Sequence, residues 1–452
     1  MTAKSPSYIT QINYKSIWLI AYPIVLGSLA QNILQLTDTA FLGHLSTITL
    51  GAAAIGSLFY FSFVMVLWGL SIGTQIIIAR RLGENALQEI GMVFKYTLIL
   101  QLLFAALFFF LMQFFSTKFF HIVIQSDDVL QESVKYIKYR SWGILFSGIN
   151  LIFRALYIGV TRTRIIGIST FLMAIINISL DYVLIFGKWG FPFMGIEGAA
   201  LASVIAEFST TIIFIVYTKV KVPLKQFGFY RKIKIKDPAY FRSVLKISFP
   251  IMIQLNLSVF SWFIFFLLIE KMGEIELAVS NIIRSLYIFL MMPVWGFASA
   301  ANTLTSQLIG RKLEQKIFSM INKCISLNLL MVATIVGLGV IFSKQLLRIY
   351  TTDVAVLTAS LPVFYLICVA AFFFAVAMTF FQALSGTGKT LIALFIEIIT
   401  ISVYLFLAYL FINVYNQSLA VVWSTDIIYA IVIGIGSYLY LKYGSWREKN
   451  LI

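Results

Sequence analysis

Long apolar runs, broken by short charged or Gly/Asn-containing stretches, recur along the whole chain. They fall at approximately 16–43, 48–79, 91–115, 130–160, 165–187 and 195–218. After a polar interval they resume at approximately 243–269, 276–309, 317–343, 354–384, 390–413 and 418–441. A helix crosses the hydrocarbon core in about 20 residues, so each run is long enough for one span. The pattern predicts an all-α polytopic membrane protein with 12 transmembrane helices. They form two pseudo-symmetric six-helix lobes, 1–218 and 243–452, joined by a linker at 219–242.

Composition removes the soluble alternative. Charged residues make up 12% of the chain and the mean hydropathy is +0.94, whereas a soluble domain carries about 25% charged residues. The net charge of +16 would suggest a nucleic-acid partner on a soluble protein. On this chain it reflects positive-inside bias, and no nucleic-acid partner is expected. Between Lys219 and Lys246 nine basic residues face Asp237 alone. With that stretch in the cytoplasm, 22 basic residues lie inside and 8 outside, the latter including Lys135, Lys138 and Arg140. Both termini are then cytoplasmic, the protein is a multi-pass inner-membrane protein, and the N-terminal run is an uncleaved first span. Cys324 and Cys368 lie in apolar runs, and His44 and His121 are the only histidines. Neither a disulfide framework nor a histidine metal centre is expected, and no cofactor is called for.

The halves repeat at an offset of 227 residues. Pro23 and Pro250, Tyr60 and Tyr287, Trp68 and Trp295, Gly69 and Gly296, and Gly83 and Gly310 keep that spacing. FRALYIGVTRTR, from Phe153, faces FQALSGTGKT, from Phe381, at nearly the same offset. Six-span halves of equal orientation imply a parallel repeat about an axis along the membrane normal, a build typical of secondary transporters.

A charge in hydrocarbon costs about 2.5–3.5 kcal/mol even on the lenient insertion scale, so intramembrane acids need a reason. Five lie well inside spans: Asp38, Asp181, Glu207, Glu397 and Asp426. Asp38 precedes Gly43 by five residues and Asp181 precedes Gly187 by six. At 1.5 Å per residue both lie on the order of 8–9 Å from the outer span ends. Asn177 shares a helix face with Asp181, Ser203 falls at a similar level, and Gln31, Gln35 and Asp38 form a polar stripe. Two carboxylates, an amide oxygen and a hydroxyl suit a small hard cation or a shared proton. A buried carboxylate pair does not readily hold two negative charges, so one member is expected to carry a proton. Gln35, Glu207, Arg284 and Gln254 are the candidates for lining a substrate cavity. Arg154 and Arg284 are expected to pair with a carboxylate or a free carbonyl, and Glu397 and Asp426 to line a cavity or make structural hydrogen bonds.

The runs QLTDTAFLGHL, WGLSIGTQIIIARRLGE, NISLDYVLIFG with GIEGAALAS, and MPVWGFASAANTLTSQLIGRK together resemble the MATE family of multidrug and toxic-compound extruders. The resemblance covers essentially the whole chain. It implies a cation-coupled antiporter that brings in H⁺ or Na⁺ and exports amphipathic, often cationic, small molecules by alternating access. It assigns Asp38, Asn177, Asp181 and Ser203 to the N-lobe cation site, with Na⁺ at Asp38, Asn177 and Asp181 as the alternative to a proton. Pro23 would assist a bend of the first span. Membrane lipids surround such a protein, and a monomer is expected.

The second half departs from the NorM pattern. NorM-like members place a glutamate where this chain has Ser258, with Gln254 a turn earlier, and an aspartate where it has Phe374. The N-lobe carboxylates resemble instead the DinF-like and archaeal branch, which favours H⁺ coupling. Among rivals, a major-facilitator transporter is disfavoured by the ARRLGENALQE loop. An integral-membrane enzyme is disfavoured because the only acidic dipeptide, Asp127-Asp128, sits in an outer loop. A lipid II or lipid-linked oligosaccharide flippase is the closer alternative, but it would need a strongly basic cavity.

Overall fold

The structure, a computed structural model, describes residues 13–232 and 238–447. Lys4, Lys234, Lys236, Asp237 and Lys449, which enter the charge reading above, lie outside the described residues. Within them the chain folds as helices joined by short turns. The first half comprises α1 (Tyr14–Gly43), α2 (Thr47–Gly83), α3 (Leu87–Val123), α4 (Asp127–Arg140), α5 (Gly143–Gly159), α6 (Arg164–Phe186) and α7 (Gly195–Lys221). The second comprises α8 (Pro238–Glu270), α9 (Glu274–Gly310), α10 (Ile317–Ile341), α11 (Ser343–Arg348), α12 (Val354–Gly386), α13 (Thr390–Tyr409), α14 (Leu419–Trp423) and α15 (Thr425–Tyr443). Eleven helical stretches are long and apolar enough to cross a membrane, and α4 with α5, bent by 50°, makes a twelfth. This is the expected all-α, multi-pass architecture. Helices are the economical solution because every backbone group is satisfied within its own segment.

The repeat is visible in the backbone. Asn85 closes the turn between α2 and α3 at φ 59°, and Lys312, 227 residues on, closes the turn after α9 at φ 58°. Thr161 after α5 has φ 58° and Gly388 after α12 has φ 89°, again 227 apart. The left-handed region is costly for residues with a Cβ, so its recurrence at one offset marks two copies of one turn scheme. Gly69 and Gly296 are likewise equivalent. A Cβ on Gly69 would lie 2.6 Å from the Met252 Cα, and one on Gly296 would lie 2.4 Å from Val25 Cγ2. In each half, helix two therefore touches the first part of the other half's opening helix, near Pro250 or Pro23.

Those contacts divide the chain. One compact unit runs from Leu26 to Met252; the other gathers the residues up to Val25 with those from Ile253 onward. In the first unit the basic stretch after α7 lies against α3 rather than hanging free. Gly91 N donates to the Phe227 carbonyl at 2.7 Å, Phe227 is fully buried, and the Phe94 and Phe229 rings lie 5.3 Å apart.

Candidate functional site: a carboxylate pair beside a charged cavity

In the Leu26–Met252 unit, α1, α2, α4, α5, α6 and α7 enclose a cavity of about 230 Å³. Its wall mixes Val64, Trp68, Met173 and Phe214 with polar groups, among them Gln35, Asp38, Asn177, Ser203 and Glu207. Near one end the structure brings Asp38 from α1, Asn177 and Asp181 from α6 and Ser203 from α7 together. The side chains of Asn177 and Asp181 are fully buried and Asp38 is half-buried, and the Asp38 and Asp181 carboxyls are neighbours. Two neighbouring carboxylates do not readily stay ionised together, so the pair suits a shared proton. Asn177 completes the group. With its amide nitrogen facing the acids it donates to Asp38 Oδ1 at 2.9 Å and to Asp181 Oδ2 at 3.0 Å, while its oxygen accepts from Ser203 N at 3.2 Å. Asp181 Oδ1 keeps no partner among the described residues. The arrangement has the groups to take up or release a proton, and it offers clustered oxygens to a small cation.

Glu207 stands one helical turn from Ser203 on α7 and is neutralised. Arg140 donates to it through both terminal nitrogens, at 2.6 and 3.0 Å. The same guanidinium lies 3.8 Å from the centre of the Tyr60 ring, whose hydroxyl shares a hydrogen bond of 3.2 Å with Ser147. The bend between α4 and α5 creates the space for this pair. At Gly143 a Cβ would lie 2.1 Å from Arg140 Nη1 and 2.4 Å from Glu207 Oε2. The charge pattern alone places Arg140 outside, in the basic run with Lys135 and Lys138. The available signal was Gly143, a helix-weakening residue three positions on, where the polar first part of the span gives way to its apolar second part.

The remaining candidates lie in the other unit. Gln254 is buried, its Oε1 without a partner among the described residues. Arg284 is exposed, its guanidinium 5.3 Å from the Phe266 ring centre. Glu397 and Asp426 are almost fully buried there. Ser258 and Tyr429 both donate to Glu397 Oε1, at 2.8 and 2.6 Å. Thus Ser258, where NorM-like members carry a glutamate, holds a glutamate supplied by α13 instead. Arg154 and Arg284 both depart from their expected pairing: among the described residues neither has a carboxylate partner or a hydrogen bond.

A twelve-span helical protein built from a parallel repeat, with intramembrane carboxylates beside an internal cavity, is a secondary transporter in design. The family follows from direct comparison. Residues 23–183 and 250–410 both match the MatE family, the two matches lying at the 227-residue offset, and the chain belongs to that family. It is a family of membrane transporters and not of enzymes. A probable multidrug resistance protein NorM from Thermotoga maritima is 25% identical over 95% of this chain and 93% of its own length. The DNA damage-inducible protein F of Escherichia coli is 28% identical over 66% of this chain and 64% of its own length. Among solved structures, a multidrug resistance MATE family transporter of the MOP superfamily in an outward-facing conformation superposes with a TM-score of 0.90. It is 18% identical, over 97% of this chain and 98% of that one. That structural match speaks for the fold.

Proposed function

We propose that the protein is a cation-coupled multidrug antiporter that exports amphipathic, often cationic, small molecules across the cytoplasmic membrane, with H⁺ favoured over Na⁺ as the coupling ion. The observation that carries the reading is the juxtaposition of Asp38 and Asp181, bridged by Asn177, because two neighbouring acids beside a cavity form a group whose charge can change during a cycle. Names of relatives such as the NorM of Thermotoga maritima support the substrate class. In this reading Asp38, Asn177, Asp181 and Ser203 bind the ion, while Gln35, Glu207, Arg284 and Gln254 contribute to the substrate path. Protonation neutralises the pair and weakens retention of a cationic substrate, which leaves outside. Rocking of the two six-span lobes then exposes the site to the cytoplasm, where the proton departs. A ligand drives this cycle only through its different affinity for the two states.

The positive-inside count supports cytoplasmic termini, and a monomer suffices because the coupling group is complete in one chain. Coupling through the first-half carboxylates allies the protein with the DinF-like and archaeal branch. A lipid-linked flippase is the weaker reading, since Arg140 is engaged by Glu207 and the cavity keeps one other arginine.

Dye transport in proteoliposomes, with ΔpH and ΔNa⁺ imposed separately, tests the proposal. Export driven by ΔpH alone, lost in both Asp38→Asn and Asp181→Asn, is the expected result. Export driven only by ΔNa⁺ would exchange the ion while retaining the site. Undiminished export in both variants would remove the pair from the mechanism.

A further inference from the structure

The cavity in the Leu26–Met252 unit is charged at both ends, and only one end is accounted for above. Its lining can be ordered along the helices. Asp38 on α1, Ser57 on α2, Asn177 on α6 and Ser203 on α7 mark the end of the carboxylate pair. Trp68 on α2, Arg154 on α5, Ser169 on α6 and Phe214 on α7 mark the other. From Ser203 to Phe214 the cavity follows α7 for roughly 16 Å, at 1.5 Å per residue.

Of the charged groups that line this cavity, Arg154 lacks a partner among the described residues. Intramembrane arginines pair with acids or with backbone carbonyls because an isolated charge there is costly. Arg140 follows the rule through Glu207. Arg154 is half-buried in the cavity wall, and among the described residues it has neither an ion pair nor a hydrogen bond. The polar groups of that region are engaged with their own surroundings. Ser169 and Thr170 donate to the Ile166 carbonyl, and Asn150 bonds the Glu207 carbonyl and Thr211. Once Glu207 and Arg140 cancel, the cavity keeps the Asp38–Asp181 pair at one end and, at the other, a guanidinium without a partner among the described residues.

We propose that Arg154 anchors an anionic group of the transported molecule, so that the cavity selects amphipathic zwitterions, cationic end towards Asp38, over cations that lack an acid. The guanidinium fork matches a carboxylate through two parallel hydrogen bonds, and the apolar wall of Val64, Trp68 and Phe214 covers the body between the charges. The inference rests on the efflux reading and narrows its substrates. It also keeps antiport consistent, because protonation at Asp38 and Asp181 releases the cationic end without needing Arg154 to change.

Equilibrium binding separates this from the efflux reading itself. The probes are a rhodamine bearing a free carboxylic acid and its methyl ester, bound to the full-length protein in detergent and followed by fluorescence anisotropy. The wild type should bind the acid about tenfold more tightly than the ester, in line with one charged hydrogen-bonded contact. In Arg154→Gln that acid-to-ester ratio should fall to near one, and Arg154→Lys should keep part of it. Equal binding of acid and ester by the wild type, no measurable binding of either, or a ratio unchanged in Arg154→Gln would overturn the proposal and leave Arg154 as a hydrated charge. If Arg154→Gln does not fold, the wild-type ratio and Arg154→Lys still decide. Preferential binding of the acid without gradient-driven transport of either dye would count against the efflux reading alone.

Discussion

Each of the two units holds two intramembrane acids, and the surroundings differ. In the Leu26–Met252 unit Asp38 neighbours Asp181, and Asn177 donates to both. In the other unit Glu397 accepts from two hydroxyls, Ser258 and Tyr429. Asp426 lies beside the Tyr404 hydroxyl, and Phe374 stacks against Tyr429 at 5.8 Å. An acid whose partner is another acid must rearrange its bonds whenever a proton arrives or leaves. An acid held by hydroxyl donors keeps the same partners throughout. A buried carboxylate is thus weak testimony to ion coupling on its own; what it is bonded to discriminates.

Substitutions can break that contrast. The largest effect is expected from Asp38→Asn or Asp181→Asn, with ΔpH-driven dye export falling to background in proteoliposomes. Glu397→Gln preserves an oxygen acceptor for Ser258 and Tyr429 and should retain at least about half of wild-type export, as expected where no transition between charge states is needed. A collapse equal to that of Asp38→Asn would erase the distinction between the pairs. Next in size, Glu207→Gln leaves Arg140 without its counter-charge and should destabilise the protein by about 3 kcal/mol, read as a lowered unfolding midpoint in detergent. Replacing both partners by apolar residues should recover most of that loss. Gly143→Ala forces a methyl group into the same ion pair and should cost about 1–3 kcal/mol, again by unfolding. An unchanged midpoint in Gly143→Ala would show that the helix bend adapts without strain.

Much of the fold was legible because hydrophobic length and a constant offset are one-dimensional signals. The two runs of six spans are read directly from hydropathy, and the 227-residue offset recurs in the positive φ angles of Asn85 and Lys312. The approach of Asp38, Asn177, Asp181 and Ser203 was accessible too, since helical rise turns residue number into depth. The Arg140–Glu207 pair was not. Its members are 67 positions apart, and the bend that turns Arg140 inward depends on packing around Gly143 that periodicity does not encode. Nor could the chain announce that Arg154 finds no partner among the described residues, because the absence of a partner exists only in three dimensions.

The recurrent turns also make the molecule an alignment of two sequences carried in one chain, each half a natural variant of the other. Where one half has found the residue a backbone conformation prefers, it prescribes the substitution for its sibling. Thr161 holds at φ 58° the conformation that Gly388 holds at φ 89°. Thr161→Gly, copied from the second half, should therefore stabilise the protein by about 0.5–1 kcal/mol after the entropy of the added glycine is counted. Lys312→Asn, copied from Asn85, should gain a smaller amount of the same sign, and thermal unfolding in detergent would register both. A duplicated transporter contains, in this sense, part of its own consensus design.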